Sequence, residues 1–348
     1  MVYPATGQLT LTQRSLDLQG GRNRSDSVQA AGPSELPVLA LPLTMAAHLR
    51  DAVGLTAGHF NGKIDRPRLY AEPLLPDALM SRCERVIPDA GDPALVAAWD
   101  FSVGTETETV HGRSANGLHG VLRQLPTRAM TGANWTGRTH SWTEAPAEYG
   151  AIQFHEDDMI DAGWSPDLTM TIPADWHSGY YALRLRATRA DGVAVESYVP
   201  FFVRAPVGKP AAKVAVVAAT ATYLAYANQA LRLDQPHAES MLEGLMTLSL
   251  DDVYLQEHRE LGQSTYDTHS DGSGWCYSSA ARPILNMRPC GNTFNYGNDT
   301  HLLDWLEAQG ITYDVVTDED IHHHGAQVLS PMRASSPFRI RSTSRSGC

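Results

Sequence analysis

Two short runs fix the architecture of the second half of this chain. Residues 213–220, KVAVVAAT, and 311–317, ITYDVVT, are strand-length and predominantly apolar. A strand exposed on one side alternates apolar and polar residues, whereas a near-continuous apolar run is covered on both faces. Between them lies THLLDWLEAQG (300–310), with Leu302, Leu303 and Leu306 on one helical face and Gly310 as a C-terminal stop. Strand, helix and strand in that order call for a parallel sheet with helical crossovers. Thr317 and Asp320 predict a capping box opening the next helix, with Asp where Glu is usual. HAESMLEGLMTL (237–248) reads as a further helix. Residues 213–330 are therefore expected to form a partial α/β domain.

The first half has a different period. LTLTQ, ELPVLALPL and GHFNGKIDRPRLYAE read as strands of a β-sandwich over residues 1–75. Asn61-Gly62 favours a tight turn with positive φ, and Ile64 and Leu69 re-enter a sheet. The pattern F-x-G-x-I-D-x-x-R-x-Y over Phe60–Tyr70 resembles the closing strands of laminin-G/concanavalin-like jelly rolls. Residues 76–94 form a connector containing a helix-like DALMSRCERV. Over 95–205, LVAAWDFS, ANGLHGVL, YGAIQFH, LTMTIP, SGYYALRLRAT and AVESYVPFFV predict further β-sandwich modules, the first two runs opening one or adding to the first sandwich, and the last module immunoglobulin-like or related. Tyr181, Leu183 and Leu185 alternate with Arg184 and Arg186, and Asp191-Gly192 suits a hairpin turn. PVGKPAA (206–212) is a linker. Residues 331–348, PMRASSPFRIRSTSRSGC, carry four Arg, no acid and no apolar periodicity, an atypical tail where another core strand is due. Met1 opens almost directly into LTLTQ, and the two ends together predict an internal piece of a longer enzyme chain.

Charge and cysteine usage narrow the partners. A net charge of −12 disfavours nucleic acid and anionic membrane surfaces, which attract basic faces. Four scattered Cys without a CxxC pair give neither a disulfide framework nor a zinc knuckle. No apolar run approaches the roughly 20 residues of a spanning helix, and no signal segment opens the chain, so a cytoplasmic location is expected.

The residues that carry chemistry cluster in the α/β part. Tyr223 and Tyr226, in TYLAYAN, follow the first buried strand, and ligands in open α/β sheets bind beyond the carboxyl ends of strands. STYDTHSDGSGWCYSS then brings Tyr266, Asp267, His269 and Asp271 in a loop rich in Gly and Ser. Plainer readings compete. A Tyr at a strand end is more often a core aromatic with a satisfied hydroxyl. His322, His323 and His324 project about 100° apart on a helix, so they read as solvated rather than metal-binding. His155-Glu156-Asp157-Asp158 reads as a charged turn, and Cys276 as a buried inert thiol.

TATYLAYANQ (220–229), STYDTHSDGSGWCYSSAARPILNMRP (264–289) and HLLDWLEAQGITYDVVTDEDIHHHG (301–325) together resemble the large (beta) subunit family of N,N-dimethylformamidase. NGLHGVLRQLPTRAMTG (116–132), APAEYGAIQFHEDDMIDAGW (145–164) and LRLRATRADG (183–192) resemble the same family, so the likeness runs to about residue 330. It implies an amidohydrolase that splits a small amide, N,N-dimethylformamide, into formate and dimethylamine. It also implies a mononuclear Fe(III) held by two Tyr and one Glu, a three-layer α/β catalytic domain, and a hetero-oligomer with a small alpha subunit. Carried onto this sequence, Tyr266 is one ligand and Tyr226 or Tyr223 the other, with spacing favouring Tyr226. The Glu is due beyond the HHHG helix, and no Glu follows Glu319. The chain as it stands is therefore expected to bind iron weakly and to lack turnover. The alternative is a carbohydrate-binding or interaction protein built on the jelly-roll module. A relative acting on another amide is a third reading.

Overall fold

The computed structural model describes residues 8–15, 25–32, 42–49, 56–230, 249–288, 294–330 and 332–335. The chain divides into two compact units, Met1–Asp158 and Met159–Cys348. Sheets dominate, with shorter helices among them, so the protein is a multidomain α and β molecule.

The first unit is built from antiparallel strands. β1 (Gln8–Arg14) pairs with β2 (Ser25–Ala31), and β3 (His48–Leu49) with β4 (Thr56–Ala57). β5 (Gly62–Asp65) begins where Gly62 adopts a φ of +146°, a conformation costly for any residue with a Cβ. β6 (Arg68–Tyr70) is followed by α1 (Pro76–Glu84), then β7 (Leu95–Asp100), β8 (Thr109–Gly112) and β9 (Gly120–Val121). β6, β7, β8 and β9 form one sheet in that order. β10 (Thr127–Met130) and β11 (Ala151–Phe154) form another with β5. Phe101, Val110, Leu122 and Ile152 make the core, with Ile64, Trp99 and Phe154 packed on it. Arg128 is buried and donates to the carbonyls of Phe101, Val103, Gly104, Thr107 and Thr109, which shapes the loop between β7 and β8. Most of the expected strand ELPVLALPL lies outside the described residues.

In the second unit, β12 (Gly179–Thr188) and β13 (Ala194–Val203) form a hairpin whose turn contains Asp191-Gly192, with Gly192 at φ +84°. The predicted alternation holds. Leu183 faces Val199 across the strands, and the opposite side carries Arg184 and Arg186 around Glu196. LTMTIP (168–173) is not a strand, contrary to expectation. Leu168, Met170 and Ile172 are all exposed, so alternation there has no apolar face to bury, and Pro173 lacks a ladder donor. Among the described residues this part is a two-stranded sheet, not an immunoglobulin-like sandwich.

β14 (Val214–Ala218), β15 (Tyr313–Thr317) and β16 (Arg333–Ser335) form the expected parallel sheet, in the order β15-β14-β16. β16 falls within the residues read as an atypical tail, at the place where another core strand was due. A parallel edge strand pairs through its backbone along one side, so three residues suffice and composition does not reveal it. The α-helices among the described residues of this unit are α2 (Thr220–Ala225), α3 (Leu250–Glu257), α4 (Tyr296–Ala308) and α5 (Asp318–His324). α4 lays Leu303 and Leu306 against Val216, with Leu302 at the margin. Thr317 and Asp320 form the reciprocal capping box of α5. Asp314 is buried within β15 and accepts the backbone N–H groups of Ala211 (2.7 Å) and Ala212 (2.8 Å), tying the linker to the sheet. Among the described residues no helix is long and apolar enough to cross a membrane. HAESMLEGLMTL and residues 336–348 lie outside the described residues.

Candidate functional site

The carboxyl ends of β14 and β15 meet in a stitched turn. Thr220 Oγ1 donates to Glu319 Oε2 (2.7 Å) and accepts the Asp318 N–H (3.2 Å), while the Ala221 N–H donates to Asp318 Oδ2 (3.0 Å). Burial pushes the Asp318 carboxyl above its ordinary range, and Glu319 adds to the shift against the Ala221 hydrogen bond. These bonds fix where α2 starts; α2 carries Tyr223, and Tyr226 follows directly at its C-terminal end.

The two tyrosines part company. Tyr223 is 1% exposed and packs with Tyr296, Met287 and Val315. Its hydroxyl donates to Asp299 Oδ2 and lies 3.0 Å from the Tyr180 hydroxyl. Burial, with the neighbouring Tyr180 and Asp299, raises its pKa far above the ordinary phenol range. Tyr223 is thus a core phenol with a satisfied hydroxyl.

Tyr226 follows the last residue of α2, and its N–H still bonds to the Thr222 carbonyl at 3.1 Å. Its ring stacks on Tyr266, with centroids 4.1 Å apart and planes at 22°, and on Phe294 at 4.6 Å. Tyr266 and Phe294 are both exposed, so one edge of the stack faces solvent. Burial, then the adjoining Tyr266 hydroxyl, raises the Tyr226 phenol to about 12. The structure therefore brings Tyr226 and Tyr266 together and sends Tyr223 elsewhere.

A buried polar framework sets this pairing. Thr265 donates its N–H to the Ala225 carbonyl at 2.9 Å, which docks the Tyr266 loop on the end of α2. Asp267 turns the loop by accepting the Ser264 hydroxyl (2.8 Å) and N–H (3.2 Å), and it also takes the Ala230 N–H at 3.2 Å. Asn228 adopts φ +58°, left-handed geometry that Asn tolerates just past a helix. Its amide donates to the carbonyls of Gly262 (3.1 Å) and Pro283 (2.7 Å) and accepts the Leu285 N–H (2.9 Å). Arg282 is buried and donates to the carbonyls of Leu261, Gly262, Ala227 and Gln263 and to the Ser278 hydroxyl. Desolvation lowers its pKa to about 10, with Asp267 opposing. Sequence reasoning singled out Asp267 but missed Asn228, Arg282 and Asn286. The left-handed preference of Asn after a helix was a usable signal for Asn228. The others act over long sequence distances and left none.

The remaining candidates behave more plainly. His269 is buried, stacked on Trp275 at 4.3 Å, and Asp271 caps its own turn by accepting from Ser273. His322, His323 and His324 are exposed on α5, as solvated residues would be. His155 opens a turn after β11, where Asp158 accepts its N–H at 3.1 Å. Cys276 is exposed, contrary to the expected buried thiol, because Trp275 takes the inward position and leaves its neighbour outward.

The sequence matches the family described as N,N-dimethylformamidase beta subunit-like, C-terminal, over residues 127–335. It is 38% identical over 284 residues to the N,N-dimethylformamidase beta subunit of Paracoccus aminophilus, covering 78% of this chain and 36% of that protein. It is 36% identical over 318 residues to the N,N-dimethylformamidase beta subunit of an Alcaligenes species, covering 88% of this chain and 40% of that one. The chain thus spans less than half the length of these curated relatives. It belongs to the N,N-dimethylformamidase beta subunit-like family.

Proposed function

We propose that this chain supplies two tyrosine donors, Tyr226 and Tyr266, to a mononuclear Fe(III) centre in an amidohydrolase that cleaves N,N-dimethylformamide to dimethylamine and formate. The observation that carries this reading is the stacked pair itself, near the carboxyl edge of a parallel sheet. The donor chemistry fits, because phenolate oxygens are hard ligands suited to a ferric ion. Bound there, such an ion would polarise an amide oxygen and acidify water.

The chain's own residues prepare the site. Tyr226, raised to about 12, is a neutral phenol at neutral pH, so its proton must leave when a cation binds. Phe294 and Tyr266 cover its two faces and limit water there. The Asn228 and Arg282 hydrogen bonds hold the loop in place before any ligand arrives, which lowers the ordering cost of binding. We further assign the antiparallel sheets of the first unit to a laminin-G/concanavalin-like module. Assembly with a small alpha subunit and a cytoplasmic location complete the reading.

The test is to load the purified chain with Fe(III) and record its visible spectrum beside Tyr226→Phe and Tyr266→Phe. A tyrosinate-to-iron charge-transfer band that either substitution weakens and shifts is the expected result. A colourless wild-type protein that takes up no iron overturns it.

A further inference from the structure

We infer that Asp299 is a positioning residue for the tyrosine pair, acting through the Tyr223 hydroxyl; this rests on the reading of Tyr226 and Tyr266 as iron donors. Asp299 lies in the first turns of α4 and is 3% exposed. Its carboxylate accepts the Tyr223 hydroxyl. Aromatic rings wall the pair in: Tyr296 meets Tyr223 edge-on at 5.4 Å, Phe202 stacks on it at 6.3 Å, and Tyr180 stacks on Tyr296 at 6.0 Å. An acid buried among phenol rings is costly to keep. What it achieves here is a fixed rotation of α2.

α2 is only six residues long, and its N-cap residue makes no side-chain cap. So short a helix has little intrinsic stability and takes its orientation from its contacts. Tyr223 is its one large, fully buried side chain. Tyr226 sits one turn further on, beside Tyr223 on the helix surface. Holding the Tyr223 hydroxyl therefore sets the direction in which the Tyr226 ring leaves the helix, and so whether it meets Tyr266.

The experiment compares Tyr223→Phe, Asp299→Leu and Asp299→Asn with Val315→Ala, which opens a cavity in the same core cluster without touching the hydrogen bond. Ferric affinity, charge-transfer band position and melting temperature are read for each loaded chain. Tyr223→Phe and Asp299→Leu are expected to weaken iron binding about tenfold and shift the band, the size typical of losing a group that orients a ligand. Asp299→Asn, whose amide oxygen still accepts from Tyr223, restores both. Val315→Ala lowers the melting temperature and leaves the band in place. Wild-type affinity and band in Tyr223→Phe overturn the inference while leaving the tyrosine reading intact, and so does an equal shift in Val315→Ala. A wild-type chain without a band overturns both. If Asp299→Leu does not fold, Tyr223→Phe decides alone, since it keeps the packed ring.

Discussion

Asn228 and Asn286 are locked together beneath the tyrosine pair: the Asn228 N–H donates to Asn286 Oδ1 at 2.9 Å, and the Asn286 amide donates to the Tyr226 carbonyl at 3.2 Å. Asn228 is 1% exposed, and its side chain satisfies the Gly262 and Pro283 carbonyls and the Leu285 N–H. Asn228→Ala strands those groups away from water and strains a left-handed residue, at a cost of about 3 kcal/mol. Urea melts of the variant should show the loss. Near-UV circular dichroism should weaken as the Tyr226 and Tyr266 rings separate. A melt matching wild type contradicts this account.

Arg282 should be as sensitive, for a different reason. Its guanidinium spreads across four carbonyls and a hydroxyl, a planar fan that an ammonium does not reproduce. Arg282→Lys keeps a charge and loses most of the fan, so about 2–3 kcal/mol of destabilisation is expected from unsatisfied carbonyls. Gly262, φ +79°, sits against that side chain. The same melts decide: Lys should not rescue, and equal stability of Lys and Arg would show that charge alone matters.

The sheet was legible in the sequence because its cause is local. KVAVVAAT and ITYDVVT announce two covered strands, and Leu303 with Leu306 announces the helix face between them. Thr317 and Asp320 sit at capping-box spacing. β16 was hidden because an edge strand needs no apolar pattern. LTMTIP misled because alternation specifies a face only when something covers it. At the site, spacing favoured Tyr226 over Tyr223; the structure stacks Tyr226 on Tyr266 and packs Tyr223 into the core. The reason was not legible: the Tyr223 hydroxyl goes to Asp299, far along the chain, and no periodicity links them.

Removing a donor oxygen should be separable from removing a ring. Tyr266 is 55% exposed, and Tyr266→Phe keeps the ring stacked on Tyr226, so stability should stay within about 0.5 kcal/mol of wild type. Tyr266→Ala loses the stack as well and should cost about 1 kcal/mol more. On the proposed iron reading, both variants of the Fe(III)-loaded chain should weaken and shift the charge-transfer band. A Phe variant whose band keeps wild-type position and intensity would exclude Tyr266 as a donor.

Asp299 should also shape how stability depends on pH. Burial raises its carboxyl above the ordinary aspartate range, with the Tyr223 hydrogen bond pulling the other way. The folded state therefore binds more protons than the unfolded chain between the two pKa values. Stability then falls as pH rises through that window and is greatest below it. Tyr223, Tyr180 and Tyr296, which face the carboxyl, are all raised phenols, Tyr296 to about 12, and stay protonated throughout. Asp299→Asn removes the titration. The stability of wild type relative to this variant should drop as pH climbs from about 4 and level off once the folded group has ionised. Asp100 is the opposite case. Burial raises it, but hydrogen bonds from Ser102 and Arg113 outweigh burial and lower its pKa, so its contribution should be lost as pH falls. Melts of wild type, Asp299→Asn and Asp100→Asn across acid pH should thus give differences of opposite slope. A flat difference for Asp299→Asn would show that its carboxyl titrates alike folded and unfolded.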